Sequence, residues 1–386
     1  MRNNNIPKVR FKQFEGLWNE DKIGNIVSIS AGGDIDRSKL KNKGQYPVVA
    51  NALTNKGIVG FYDDYKVKAP AVTVTGRGDV GYAVARHENF TPIVRLLTLQ
   101  SENIDVDYLQ NQINSMRILN ESTGVPQLTA PQLGNYKVYY PEIEEQSAIG
   151  SLFRTIDDLL VSYKDNFANY RSLKATMLSK MFPKAGQTVP EIRLDGFEGE
   201  WERIKLGEFC DLITKGTTAK SQSEQGKVNF VKVENLKDNE IYPIVKISEE
   251  EHLGSLKRSI LCEGDILFSI AGTLGRTAIV RNNILPANTN QALAIIRGYK
   301  LDTYFLLVVL SGEVVKDYIR KNPTVGAQPN LSLEQVSSLK IQAPSMEEQQ
   351  AIGSYFSNLD NLIASHQDKI SQLETLKKKL LQDMFI

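Results

Sequence analysis

Pro141-Glu142-Ile143-Glu144-Glu145-Gln146-Ser147-Ala148-Ile149-Gly150 occurs twice in this chain, and the repetition sets its architecture. The stretch returns as Pro344-Ser345-Met346-Glu347-Glu348-Gln349-Gln350-Ala351-Ile352-Gly353. The offset of 203 residues holds without a gap to Met181-Phe182 and Met384-Phe385. Apolar positions then pair as Ile149 with Ile352, Phe153 with Phe356, Ile156 with Leu359 and Leu160 with Ile363. Steps of four and three alternate, which is the spacing of a heptad seam. Lys174 and Lys377 interrupt the seam at matching places, where a local change of winding is expected. A helix of roughly 40 residues is about 60 Å long, too long to be buried inside one small body. Two such helices in one chain pair most simply with each other. A pseudo-two-fold relation between the halves makes that pair antiparallel.

A second repeat precedes the first. Pro7-Lys8-Val9-Arg10-Phe11 and Phe14-Glu15-Gly16-Leu17-Trp18 return as Pro190-Glu191-Ile192-Arg193-Leu194 and Phe197-Glu198-Gly199-Glu200-Trp201. The chain therefore reads as one unit used twice: a short lead-in, a variable body and a long helix. The expected boundaries are a first body over 1–140, a long helix over 141–183, a second body over 184–343 and a long helix over 344–386. Tyr46–Ala50, Ile58–Tyr62, Ala71–Thr75 and Tyr82–Ala85 predict strands in the first body, with a helix over Asp107–Leu119. Val228–Val233, Asp265–Ile270 and Thr277–Val280 predict strands in the second, with a helix over Asp302–Arg320. A final strand, Tyr136–Tyr140 or Leu339–Ala343, feeds each long helix. Proline fixes its first turn, and the Glu-Glu pair faces the positive helix end. The fold class is α+β: two similar bodies separated by two long helices that form an antiparallel coiled coil.

Composition bounds the function. At 386 residues, 41% hydrophobic and 24% charged, the chain is ordinary globular material with room for two cores. No secretory signal is expected from Met1–Pro7, and no apolar run is long enough to span a bilayer. Cys210 and Cys262 do not make a disulfide framework, and they fit a reducing, cytoplasmic setting. A net charge of +1 is low for an isolated DNA-binding domain. A DNA binder this neutral needs local basic loops, or partner subunits that supply phosphate contacts.

Catalytic patterns are weak. Gly76-Arg77-Gly78-Asp79-Val80-Gly81 spells G-x-G-x-x-G after a strand, but strand-like residues follow where a dinucleotide site needs a helix start. A hairpin turn fits better, and Ala271-Gly272-Thr273-Leu274-Gly275-Arg276 is a second such element. His87, His252 and His366 have no metal-ligand neighbours at useful spacing. Asn322-Pro323-Thr324 stops short of the Asn-Pro-Pro-aromatic run that holds a target amine in amino-methyltransferases. Glu20-Asp21-Lys22 and Asp64-Tyr65-Lys66 match only the tail of a nuclease pattern. No metal, nucleophile or bound cofactor is expected on this chain, and it reads as a non-enzyme.

Polar, basic loops remain. In the first body Arg37, Lys39, Lys41 and Lys43 lie close together, followed by Asn51, Asn55, Lys56 and Arg77. In the second, Lys215, Thr217, Thr218 and Lys220 are complemented by Arg276, Asn288, Asn290 and Gln291. Lysines suit phosphates, while Arg, Asn and Gln suit purine edges. An ordinary solvated loop is the competing reading of each.

Taken in order, these features resemble the specificity subunit of type I restriction–modification systems. The resemblance rests on the duplicated Phe-Glu-Gly-x-Trp lead-in, Gly-x-x-Gly in each body, the Pro-x-x-Glu-Glu-Gln-x-Ala-Ile-Gly helix start and the Met-Phe helix ends. It covers essentially the whole chain. It implies two target-recognition domains, each reading half of a split site in double-stranded DNA. It also implies that the helices act as a spacer and dock two modification (methyltransferase) subunits, with two restriction subunits joining the complex. S-adenosylmethionine, ATP and magnesium would then be bound by those partners. Two other readings stand beside it: a stand-alone DNA-modifying enzyme, and a coiled-coil scaffold whose heads bind protein.

Overall fold

The computed structural model describes residues 5–118, 125–184, 186–220, 226–321 and 330–386. Leu119, Gly124, Ser221 and the stretch 322–329, with Asn322-Pro323-Thr324 and Gly326, lie outside the described residues. Two compact units emerge: Met1–Asp165 with His366–Ile386, and Asn166–Ser365. The limits of compactness therefore fall within the long helices rather than at their ends.

Among the described residues the first unit holds nine strands: β1 (Asn19–Lys22), β2 (Ser28–Ala31), β3 (Tyr46–Val49), β4 (Ile58–Tyr62), β5 (Ala71–Thr75), β6 (Ala83–Arg86), β7 (Thr91–Pro92), β8 (Leu96–Gln100) and β9 (Lys137–Tyr140). They form a four-stranded sheet in the order β2-β8-β5-β6, a three-stranded sheet β4-β3-β7 and the pair β1-β9. Every residue of β5 is buried, as expected for a small and branched run at the centre of a fold. Helix Val106–Ser115 starts at Asp105, whose carboxylate accepts a hydrogen bond from the Tyr108 amide at 2.9 Å.

The second unit repeats this plan with β10 (Glu202–Lys205), β11 (Leu212–Lys215), β12 (Val228–Val231), β13 (Leu236–Lys237), β14 (Glu240–Ile241), β15 (Val245–Ile247), β16 (Ile266–Ser269), β17 (Thr277–Ile279), β18 (Ala287–Thr289), β19 (Leu293–Arg297) and β20 (Lys340–Ala343). Its sheets run β11-β19-β16-β17, β15-β12-β18 and β10-β20, with β13-β14 as an added hairpin. In both bodies the three-stranded sheet contains one parallel pair, β3 with β7 and β12 with β18. The predicted strands are present with ends shifted by one or two residues. The sequence reading omitted several strands, among them β8 and β19, each of which pairs on both sides. The helix expected over Asp302–Arg320 is two helices, Thr303–Ser311 and Glu313–Lys321, broken at Gly312. Gly312 takes an extended conformation with ψ 177°, so the i to i−4 ladder cannot pass through it.

The repeated helix-start motif is an anchor, built on its proline, second glutamate and glutamine. In the first unit Gln146 donates to the Pro141 carbonyl and accepts from the Asp105 amide, tying the long helix to the capped one. Glu145, 2% exposed, receives both Nε and Nη2 of Arg10, at 2.7 and 2.6 Å. Arg10 also donates to the carbonyls of Glu15 and Gly16, so the Phe-Glu-Gly turn is part of the same joint. The second unit repeats the joint with Gln349, Pro344 and Asp302, and with Arg193 on Glu348 and on the Glu198 and Gly199 carbonyls.

The long helices run unbroken over Ile143–Lys180 and Met346–Asp383. In the first unit Phe385 stacks on Tyr108 and Phe153, Lys377 pairs with Asp157, and the His366 ring meets Tyr163 at 5.4 Å. Contacts thus advance along one helix as they retreat along the other. In the second unit Phe182 packs on Trp201, Phe305 and Phe356, and Lys174 pairs with Asp360. Ile149, Phe153, Ile156, Leu160, Ile352, Phe356 and Leu359 are buried, while Ile363 is half-buried. Lys174 and Lys377, where a change of winding was expected, each reach a carboxylate on the facing helix, Asp360 and Asp157, and both helices continue through these positions.

Candidate nucleic-acid interface

Bonding at the glycine-rich turns decides between a phosphate cradle and a hairpin. Thr75 Oγ1 donates to the Asp79 carbonyl and accepts from the Tyr82 amide; Ser269 Oγ does the same with Thr273 and Arg276. Gly78 and Gly81, like Gly272 and Gly275, sit at φ between 74° and 87°, the left-handed region open to glycine. A strand follows each turn, so both are β-hairpin tips. Arg77 and Arg276 are exposed on them, on opposite shoulders: by position in the turn, Arg77 corresponds to Ala271 and Arg276 to Tyr82.

Asn51 is engaged within its own body. Its Oδ1 accepts from the Gly76 and Arg77 amides and its Nδ2 donates to the Arg77 carbonyl, so it clamps the first tip. Arg37, Lys39, Lys41 and Lys43 lie together before β3, all exposed. Asp36 caps the Arg37–Lys39 turn, and the Ser38 hydroxyl and amide hold its carboxyl below the usual range. Lys41 pairs with Asp63 at 2.5 Å, an exposed pair that water and salt weaken and that a phosphate could displace. Asn55 and Lys56 are exposed on the β3–β4 connection, both at φ 49°.

In the second body Gly216 lets the Lys215–Lys220 segment pass against β18. A Cβ there would lie 2.1 Å from the Thr289 carbonyl oxygen. Thr217 donates its amide to that oxygen, and Thr218 Oγ1 meets Gln291 Oε1 at 2.8 Å. Thr217, Thr218, Lys220 and Gln291 are all exposed, while Asn290 is half-buried and accepts from the Ala292 amide. Asn288 is a correction. It is fully buried in β18, where its amide donates to the Leu256 carbonyl and Ser259 Oγ and its Oδ1 meets His252. No base edge can reach it.

Two features escaped the sequence reading. Arg86 lies buried beneath the Asn55–Lys56 loop, donating to the Lys56 carbonyl. The β13–β14 hairpin turns at Asp238 and Asn239, both at positive φ, and Asp-Asn between two short β-runs was a legible turn signal. The nuclease-like triplet Glu20-Asp21-Lys22 lies in β1, its side chains bonded to Lys137, Asn25 and Asn135. Among the described residues no group of three or more His, Cys, Asp and Glu side chains is placed to hold a metal ion. No helix among them is long and apolar enough to cross a membrane. Burial pushes the Cys210 thiol up to about 11.

Comparison with known proteins extends these findings. The profile of the type I restriction modification DNA specificity domain matches residues 15–166 and 198–375. The type I restriction enzyme MjaVIII specificity subunit of Methanocaldococcus jannaschii is 25% identical over 408 residues, covering 96% of this chain and 94% of the relative. The type I restriction enzyme EcoBI specificity subunit of Escherichia coli is 29% identical over 212 residues, 50% of this chain and 44% of the relative. The crystal structure of a type I restriction–modification S subunit from M. genitalium superposes with a TM-score of 0.68 over 99% of both chains. At 17% identity that likeness is one of fold.

Proposed function

This chain belongs to the family of type I restriction–modification specificity subunits, and we propose that it reads a bipartite DNA site with one half assigned to each body. The observation that carries the reading is a duplicated scaffold with unlike loops. Both bodies have the same strand order and the same hairpin-tip bonding, yet their exposed polar side chains differ in kind and position. Selection for fold alone would not need two loop sets, whereas two half-sites of different sequence do. The basic cluster Arg37–Lys43 suits backbone phosphates, and Thr217, Thr218 and Gln291 suit base edges.

The two long helices form an antiparallel coiled coil that fixes the gap between half-sites and docks two modification subunits, with restriction subunits completing the complex. The helix contacts in each unit support the pairing. The chemistry then belongs to those partners, which bind S-adenosylmethionine, ATP and magnesium, and their basic surfaces complete a DNA channel that a chain of net charge +1 does not supply alone.

Co-expression with a modification subunit in a methylation-free host, followed by methylation mapping, tests this. One new methylated motif made of two half-sequences with a fixed gap is expected. No new motif, or a single uninterrupted one, contradicts the proposal. Methyl transfer by the purified chain alone would favour a self-contained enzyme instead.

A further inference from the structure

Arg86 is 8% exposed, and among the described residues no carboxylate lies within ion-pair distance of it. Its Nε donates to Thr73 Oγ1 at 2.9 Å, and its Nη2 to the Lys56 carbonyl at 2.6 Å. Burial pushes the guanidinium down to about 10, which leaves it charged at neutral pH. Opposite Thr73 in the sheet, the fully buried hydroxyl of Thr98 has no hydrogen-bond partner among the described residues. A buried cation without a counter-charge is expensive in a fold that can do without it.

The second body shows that the fold can do without it. Strand registers align Thr73 with Leu267 and Thr98 with Ile295, and the position of Arg86 is held by Val280. All three counterparts are buried in one apolar cluster. The polar set in the first body is therefore not a requirement of the sheet.

What the two bodies share is the object being gripped. Arg86 stands at the end of β6 and holds the connection between β3 and β4. In the second body the equivalent connection is enlarged by the β13–β14 hairpin, and β17, the counterpart of β6, holds it too. There the Ile279 amide donates to the Asn239 carbonyl at 3.1 Å, and Thr277 Oγ1 bonds Asn239 Oδ1 at 2.7 Å. Two different chemistries thus fix the same connection to the same strand. In the first body that connection carries Asn55 and Lys56, exposed and both in the left-handed region that non-glycine residues enter only when held.

We propose that Arg86 is a positioning residue for DNA reading by the first body: it locks the Leu53–Gly57 connection in the strained shape that presents Asn55 and Lys56 to the first half-site. This rests on the bipartite reading above. By the same logic, Asn239 positions the second body's hairpin.

The test transplants the second body's own solution into the first. The variant R86V/T73L/T98I and the single variant R86M are each co-expressed with the modification subunit, and their methylated motifs are mapped against the wild type. For the triple variant the second half-sequence is expected unchanged, with base preference lost at one or more positions of the first. A folded triple variant that methylates the wild-type motif to the wild-type extent overturns the proposal. Hydrogen exchange on R86M decides the matter even if the triple variant does not fold. Exchange at least tenfold faster at Asn55–Val59, with β5 and β8 unchanged, supports the anchor; unchanged exchange there overturns it. A wild-type complex that methylates no split motif counts against the bipartite reading, while the exchange result still decides the anchor.

Discussion

Arg10 and Arg193 show how much of the fold hangs on single side chains that a repeat reveals but does not explain. Each forks onto a glutamate 2% exposed, and each guanidinium is itself largely covered. Arg10→Met strands the Glu145 carboxylate, which should cost about 3–5 kcal/mol. The double variant R10M/E145L removes both charges and should recover most of that loss. Chemical denaturation of the four chains in a double-mutant cycle measures the coupling, and additive losses would show that the two side chains do not stabilise each other. The recurrence of Arg10 and Glu145 was plain in the sequence, but their partnership was not, because 135 residues separate them. Read locally, Glu145 simply faces a helix end. The same limit explains Asn51 and Asn288. Asparagine in a polar run looks ready to read bases, and only the folded sheet shows which amides are already occupied.

At the scale of elements, the helix-start glycines set how closely the long helices approach the bodies. A Cβ on Gly353 would lie 2.3 Å from Asp302 Oδ1 and 3.0 Å from the Phe305 amide nitrogen. Asp302 cannot swing aside without giving up its cap on helix Thr303–Ser311. Gly353→Ala should therefore destabilise the second unit, since overpacking costs about 1–3 kcal/mol. The gain of about 1 kcal/mol from alanine's helix propensity offsets this only in part. Thermal unfolding reads the difference, with Gly33→Ala, where a Cβ meets nothing within 4 Å, as the neutral control. An unchanged midpoint for Gly353→Ala would show that the joint is loose. Strand existence was legible wherever turn residues bracketed a β-rich run, as at Ile58–Tyr62 and Ala71–Thr75. The inner strands Leu96–Gln100 and Leu293–Arg297 were passed over because their apolar residues do not alternate and their partners are distant in sequence. The break at Gly312 was also missed, since the apolar run before it and the amphipathic stretch after it read as one helix.

At the scale of the whole molecule, the linear repeat and the compact units do not share boundaries. Each unit contains the start of one long helix and the end of the other, so Phe385 completes the core around Tyr108 and Phe182 the core around Phe305. The 203-residue offset made the repeat legible, and the Met-Phe ends marked where it stops. It could not show that those ends pack on the other repeat's body, because that depends on the direction in which the helices pair. On the proposed function, the paired helices set the gap between the two half-sites. Tyr163 and His366 meet across the pair, so seven residues inserted after each lengthen both helices equally and keep the heptad phase. The added length is about 10 Å, or about three base pairs. Methylation mapping of the lengthened chain with its modification subunit should give both half-sequences unchanged and a gap wider by about three base pairs. The same two half-sequences at the original gap would contradict the claim.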